Sequence, residues 1–189
     1  ATHALAAEVP AKLAAVYLAL NRPGPAAAEF ERLAAGSNPP EVARSALWQA
    51  AQLHVKAGAS AAANKAWEQY VRRYPVPLEP AIEARWHLSQ AALAEGQATR
   101  ALQWAHELSL ADEQGGEQRT ERTRLLGAKA TLALAAPTPQ AYQQIKLVEP
   151  LARQLKLKKT QMEAVLQAYG AASSSGYADV VTEATFKTA

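Results

Sequence analysis

The residues best suited to chemistry in this chain are its four histidines, and their spacing fits no catalytic or metal-binding pattern. They are His3, His54, His87 and His106. No two of them stand four residues apart, as two metal-binding histidines on one helical face would. The chain has no Cys, which excludes a thiol nucleophile, a disulfide scaffold and a Cys-based zinc site. It also lacks the nucleophile-elbow, phosphate-loop and His-Glu-x-x-His motifs. We therefore expect no enzymatic activity, no cofactor and no metal in these residues.

The acidic and basic side chains between residues 112 and 124 are the next candidates for chemistry. Asp112 and Glu113 stand in what reads as a polar loop, and general acid–base catalysis needs a carboxyl group whose pKa is shifted by burial. Residues 117–124 alternate between Glu and Arg, which predicts an exposed helix carrying i,i+4 ion pairs. Neither group indicates a catalytic site.

The amino-acid composition indicates which secondary structure would position any functional site. Of 189 residues 46 are Ala, the strongest helix former, and only 9 are Gly and 11 are Pro. This favours an all-α protein over a β-sandwich or a disordered chain. A net charge of +3 gives no basic face for nucleic acid, and no apolar run is long enough for a transmembrane segment. We expect the chain to be a fragment of a longer protein.

Small residues recur after turns at a nearly constant interval. The five alanines that mark this interval are Ala26, Ala63, Ala101, Ala141 and Ala178, spaced 37, 38, 40 and 37 residues apart. Each interval holds two amphipathic patterns, so the spacing predicts helix pairs over residues 4–39, 40–76, 79–114, 117–149 and 150–189. In the first helix, Pro10 either starts the helix or kinks a longer one. A pair cannot bury both of its faces alone, so we expect the pairs to stack.

This pattern resembles the tetratricopeptide repeat family. The second interval carries the resemblance best, with Leu47, Ala50, Ala51, His54, Gly58, Ala63, Trp67, Tyr70 and Pro75. The resemblance implies a right-handed α-solenoid of about five antiparallel helix pairs, in which the first helix of each pair lines a concave face. It implies a protein–protein interaction scaffold that binds a partner segment there.

A finer resemblance concerns the ends of the repeats. The long interval and the Tyr74-Pro75 ending are similar to tetratricopeptide proteins of the bacterial cell envelope, including outer-membrane assembly lipoproteins and the Tol-Pal system. The resemblance implies a place in the periplasm or the cell envelope. The Lys, Asn and Arg clamp by which some family members bind a carboxylate is absent, so an acidic chaperone-type tail is not the expected partner.

Aligning the intervals by Gly58 and Gly96 gives a row of candidate partner-binding residues on the first helices. The row consists of Trp48, Gln52, Trp86, Gln90 and Arg124. The aromatic rings would anchor a segment, and the amides would bind its backbone. The alternative, which we favour for both Trp residues, is that they pack between neighbouring helices, since large aromatic side chains are more often buried than free for contact.

Two further alternatives stay open. Lys156, Lys158 and Lys159, with Arg153 nearby, form a basic cluster that we expect to be a solvated helix face, although an acidic partner or an anionic lipid would also fit it. The rival to a binding scaffold is a structural spacer or a self-association module, which would contact other copies through the ends of the solenoid.

Overall fold

The computed structural model describes the backbone of residues 2–188 and the side chains of residues 8–188 except that of Thr138. Every regular element in this part of the chain is a helix. The α-helices are α1 (Thr2–Ala19), α2 (Pro23–Ala35), α3 (Pro40–Lys56), α4 (Ser60–Arg73), α5 (Leu78–Ala94), α6 (Ala98–Glu113), α7 (Glu121–Ala135), α8 (Thr138–Gln144), α9 (Leu151–Ser173) and α10 (Ala178–Thr188). A single 3₁₀ turn over Gly116–Gln118 precedes α7. The all-α prediction is confirmed.

Proline and glycine set several of the helix boundaries. Pro23 and Pro40 are the first residues of α2 and α3, where the missing N–H has no helical partner to lose. Gly58 and Gly96 end the turns after α3 and α5 with φ of +71° and +73°, a left-handed conformation that favours glycine. These two turns lie where the sequence predicts them.

α1 passes through Pro10, so that of the two alternatives for this residue the longer helix is the one observed. Two other boundaries differ from the expectation. α5 begins at Leu78, two residues before Pro80, because proline is tolerated throughout the first turn of a helix. α6 continues through Glu113, so that Asp112 lies on a helix and is only 3 % exposed, not in the polar loop that we expected.

The core consists of three clusters of buried side chains along the chain. The first joins α2, α3, α4 and α5 around Trp67 and Tyr70. The second joins α5, α6 and α7 around Ile82 and Leu108. The third joins α7, α9 and α10 around Tyr169. Helices from α1 to α7 thus pack on their neighbours in the chain, with small Ala residues letting the axes come close.

α9 and α10, which span the predicted fifth pair, pack on each other, whereas the two helices of the predicted fourth pair find a different partner. α7 packs on α9, whereas α8 packs on α9 and ends at Gln144, four residues before the predicted end at Val148. The physical reason is that α8 is a single short helix rich in Gln and Pro, which cannot cover the apolar face of α7. Tyr169 and Ala172 of α9 cover it instead.

α5, α7 and α10 run side by side in one direction. Thr120, at the start of α7, donates its hydroxyl to Glu79 at the start of α5, over 2.6 Å. Tyr177, just before α10, donates its hydroxyl to the carbonyl oxygen of Glu121, over 3.0 Å. The starts of all three helices therefore meet, and α10 takes the place next to α7 that the sequence assigns to the start of the fifth pair.

Candidate binding groove

A groove of about 660 Å³ lies between the C-terminal halves of α5 and α7, the start of α6 and the length of α10. Its lining residues are Trp86, Ser89, Gln90, Leu93, Ala98, Ala101, Leu102, Lys129, Leu132, Ala133, Ala136, Pro137, Gln140, Asp179, Val180, Glu183 and Lys187. Its volume is that of a pocket which buries a small ligand or a few side chains of a peptide. We call it the α5–α10 groove.

Helical spacing explains why these side chains share one surface. On α5, Trp86, Gln90 and Leu93 follow one another at steps of four and three residues, which places them on one face. Leu93 is 59 % exposed, so it offers apolar surface to a ligand. Trp86 is half-buried, and the part of it inside the protein packs against the second core cluster. The α5 edge of the groove is therefore anchored by the core through Trp86, and it exposes Leu93 to a partner.

The polar groups of the groove are few, and not all of them have a partner. Glu183 and Lys187 form an ion pair at 2.7 Å one turn apart on α10, and the bond to Glu183 raises the pKa of Lys187. Lys129 on α7 is half-buried and makes no ion pair with any of the residues that the structure describes. The side-chain amides of Gln90 and Gln140 likewise form no hydrogen bond within the described residues. The groove thus combines an apolar floor with a few groups able to bind a peptide backbone or a carboxylate.

The candidate binding residues separate into two places. Trp86 and Gln90 both line the α5–α10 groove. Trp48 lies on α3, where its ring meets the rings of Trp67 and Tyr70 edge-on, at centroid distances of 4.7 and 5.2 Å. It packs between helices, which is the alternative we favoured. The structure thus assigns different surroundings to the two Trp residues that the alignment treats as equivalent.

Two other candidate residues lie outside the groove. Gln52 is exposed on α3, away from it. Arg124 is exposed on α7 but points about 200° around the helix from Arg122, because each residue turns an α-helix by about 100°. The face that continues into the groove holds Arg122, Lys129 and Ala133, at steps of seven and four residues. Arg124 is thus not among the residues that line the α5–α10 groove.

Arg122 connects the start of α7 to α5 by an ion pair. Its guanidinium donates to both carboxylate oxygens of Glu83, at 2.5 and 3.2 Å, and this bond raises the pKa of Arg122. Arg119 likewise pairs with Asp112 of α6, at 3.1 and 2.6 Å. The expected i,i+4 pairs within residues 117–124 are therefore wrong for these two arginines, whose carboxylates come from neighbouring helices.

The histidines that the structure describes take structural positions. His54 is buried, as expected for a core residue, and its Nε2 lies 3.2 Å from Glu31. The imidazole of His87 stacks flat on Trp67 at 4.8 Å. Removal of water from the stacked face lowers the pKa of His87, although its edge stays exposed. His106 is exposed, and the side chain of His3 lies outside the described residues.

Neither a metal centre nor a membrane span is found in the part of the chain that the structure describes. No three His, Asp or Glu side chains there gather around a point that could hold a metal ion. No helix there combines the length and the hydropathy needed to cross a bilayer. Neither a family model, nor a curated protein, nor a solved structure matches the chain. The function must therefore be argued from the groove and its chemistry.

Proposed function

We propose that this chain is a protein–protein interaction scaffold that binds a segment of a partner protein in the α5–α10 groove. The observation that carries the proposal is the groove itself, in which exposed Leu93 and half-buried Trp86 adjoin unpaired Lys129. Apolar side chains of the segment would pack on Leu93 and Trp86, where burial from water supplies most of the affinity. Lys129, Gln90 and Gln140 would bind polar groups of the segment and fix its orientation.

The proposal extends to the architecture. We propose that the helix pairs form a right-handed α-solenoid of the tetratricopeptide type, in which α5, α7 and α10 are the first helices of successive pairs. Their common direction, and the packing of α6 and α9 between them, support this arrangement. The α5–α10 groove would then lie on the concave face. The Tyr74-Pro75 ending after the second pair supports a role in a bacterial envelope complex.

Selection from a displayed library of random dodecamer peptides tests the proposal. The wild-type chain should enrich peptides with apolar side chains, and a Leu93→Asp variant should fail to enrich the same peptides, because the charge would be buried by the bound segment. Leu110→Asp is the matched control, since Leu110 is exposed in the last turn of α6 as Leu93 is in α5, but does not line the groove. Peptides that bind all three proteins equally would contradict the proposal.

A second candidate function, self-association, rests on a different surface. α1 exposes the large apolar side chains of Val9, Leu13 and Val16 on one face, with Leu18 on the opposite face and Leu20 just after the helix. A patch of this kind on a monomer marks a contact surface, and another copy of the chain is one occupant. Light scattering after size exclusion separates the two candidates. A dimer abolished by Leu13→Glu and Val16→Glu, in a chain that selects no peptide, would favour a spacer or self-association module over a binding scaffold.

A further inference from the structure

α9 has an apolar stripe whose side chains are close to half exposed in the described part of the chain. The stripe consists of Leu151, Leu155, Met162 and Leu166, which we call the α9 stripe. Their side chains are between 43 and 50 % exposed. At about 100° per residue the four positions fall within about 60° of one another, so they form one continuous strip along the helix. Scattered apolar side chains on a surface are ordinary, but an aligned strip indicates a contact surface.

The stripe is exposed because α9 is much longer than the helix it packs on. α9 has 23 residues and α7 has 15. The apolar contacts of α9 with the third core cluster come from Val165, Ala168, Tyr169 and Ala172, all in its C-terminal half. The N-terminal half meets α8, where Lys158 lies over the ring of Tyr142 at 4.9 Å. The stripe begins about 20° around the helix from Lys158, beside this contact, and its side chains stay close to half exposed.

Basic side chains border the stripe. Residues 146–166 contain five basic residues and two acidic ones, a net charge of +3 that equals the net charge of the whole chain. Lys159 falls about 20° beyond the stripe on one side, where Glu163, Lys156 and Arg153 follow further around the helix, and Lys158 falls about 20° beyond it on the other side. Lys159, Lys156 and Arg153 are exposed, and none of these three forms an ion pair within the described residues. Positive charge is therefore concentrated beside the only apolar strip of this half of the helix that the structure describes.

We propose that the α9 stripe and its basic border bind the surface of an anionic lipid bilayer. The helix would lie in the plane of the interface, with Leu151, Leu155, Met162 and Leu166 in the acyl boundary and Lys156 and Lys159 on lipid phosphates. An apolar face bordered by lysines is the arrangement by which amphipathic helices bind such surfaces. Each basic residue near an anionic leaflet adds to the attraction, and the long lysine stems let the ammonium groups stay with the headgroups.

The charges distinguish a lipid surface from the other occupants. A second copy of the chain would bring an equal basic border against this one, and like charges at close range oppose the contact. An acidic protein would satisfy the charges, but the stripe lies on the convex surface of a helix and needs a partner shaped to it. A bilayer adapts to a convex strip without a preformed shape. The inference is independent of peptide binding, because the α5–α10 groove contains no residue of α9.

Vesicle sedimentation tests the proposal directly. The wild-type chain should pellet with vesicles of phosphatidylcholine and phosphatidylglycerol, remain in solution with phosphatidylcholine alone, and be released as salt is raised. The Lys156→Glu, Lys159→Glu double variant should bind the anionic vesicles at least about tenfold more weakly. Lys56→Glu with Lys65→Glu is the matched control, because both lysines are exposed on other helices and the change in net charge is the same. This control should bind like the wild type.

A second measurement locates the contact. The chain has no Cys, so Leu155→Cys gives a single site for an environment-sensitive dye. Val55→Cys gives the control site, because Val55 is exposed on α3. The fluorescence emission of the dye at position 155 should shift to the blue when anionic vesicles are added, and the emission of the dye at position 55 should not. Equal pelleting of both double variants, no pelleting of the wild type, or binding to polyglutamate without binding to vesicles would each overturn the proposal, the last in favour of an acidic protein partner.

Discussion

Gly127 of α7 lies directly against the carboxylate of Asp112 of α6. A Cβ atom on Gly127 would stand 2.6 Å from Oδ2 of Asp112 and 3.1 Å from its Cγ. The same carboxylate is buried and accepts both hydrogen bonds of the Arg119 guanidinium. The close approach of α6 and α7 therefore depends on the absence of a side chain at position 127, and the ion pair occupies the space which that absence leaves.

We predict that Gly127→Ala destabilises the protein in spite of the better helix propensity of Ala. The new methyl group must push the Asp112 carboxylate away from Arg119 or separate α6 from α7, and a disturbed buried ion pair costs a few kcal/mol. We expect a net loss of about 1–3 kcal/mol in the free energy of unfolding, measured by urea denaturation.

Gly170→Ala is the matched control for this prediction. Gly170 is also helical, in α9, but no atom lies within 4 Å of the Cβ that the substitution would add. We expect it to stabilise the protein by up to about 1 kcal/mol through helix propensity alone. If both substitutions changed stability by the same amount, the contact with Asp112 would have no energetic weight.

A second prediction concerns Trp48, whose ring is held edge-on by Trp67 and Tyr70. Trp48→Ala should lower the free energy of unfolding by roughly 2–3 kcal/mol, somewhat less than the loss for a fully buried Trp because part of the ring is exposed. Trp48→Phe should recover part of this loss, since it keeps an aromatic edge. Peptides selected by the groove should bind the refolded Trp48→Ala protein as they bind the wild type, and weaker binding would place Trp48 in the contact surface.

A third prediction follows from the stacking of His87 on Trp67. Burial of one face of the imidazole lowers the pKa of His87 below 6.5, while Glu83 acts in the opposite direction and Arg122 in the same one. The unfolded chain therefore binds a proton at this site more readily than the folded one. The stabilisation is complete above the unfolded pKa and is lost as the pH falls through the folded pKa.

The measurement is the change in melting temperature between pH of about 7 and about 5. His87→Gln should flatten this change, because Gln does not titrate. Identical slopes for the wild type and His87→Gln would show that the stacked imidazole contributes nothing to the pH dependence. The change of melting temperature with pH is the quantity to compare, because loss of the stack lowers the melting temperature itself at every pH.

The sequence predicts where helices and turns lie better than it predicts which helices pack against one another. Gly58 and Gly96 mark turns because a left-handed residue is favourable only for glycine there, and that requirement is local. Trp48 and Trp86 have the same place relative to these turns, yet one meets Trp67 and the other lines a groove. The difference comes from which helices pack beside them, and the local pattern does not contain that information.

The α7 face shows a second limit. Alignment by turns places Arg124 beside Trp86, but the arginine of α7 that reaches α5 is Arg122, which pairs with Glu83. A search along α7 for side chains at heptad spacing would have grouped Arg122 with Lys129. The replacement of α8 by α9 as the partner of α7 could not be read from the spacing of alanines, because it depends on how much apolar surface each helix offers.

The binding of a peptide segment by the α5–α10 groove is tested most directly by fluorescence anisotropy with one selected, labelled peptide. The dissociation constant should rise at least about tenfold from the wild type to Leu93→Asp, a loss of about 1.4 kcal/mol, and should be unchanged for Leu110→Asp. Melting temperatures of the two variants should agree, since both leucines are exposed near the C-terminal end of a helix. Equal dissociation constants for all three proteins would contradict the assignment of the groove as the binding site.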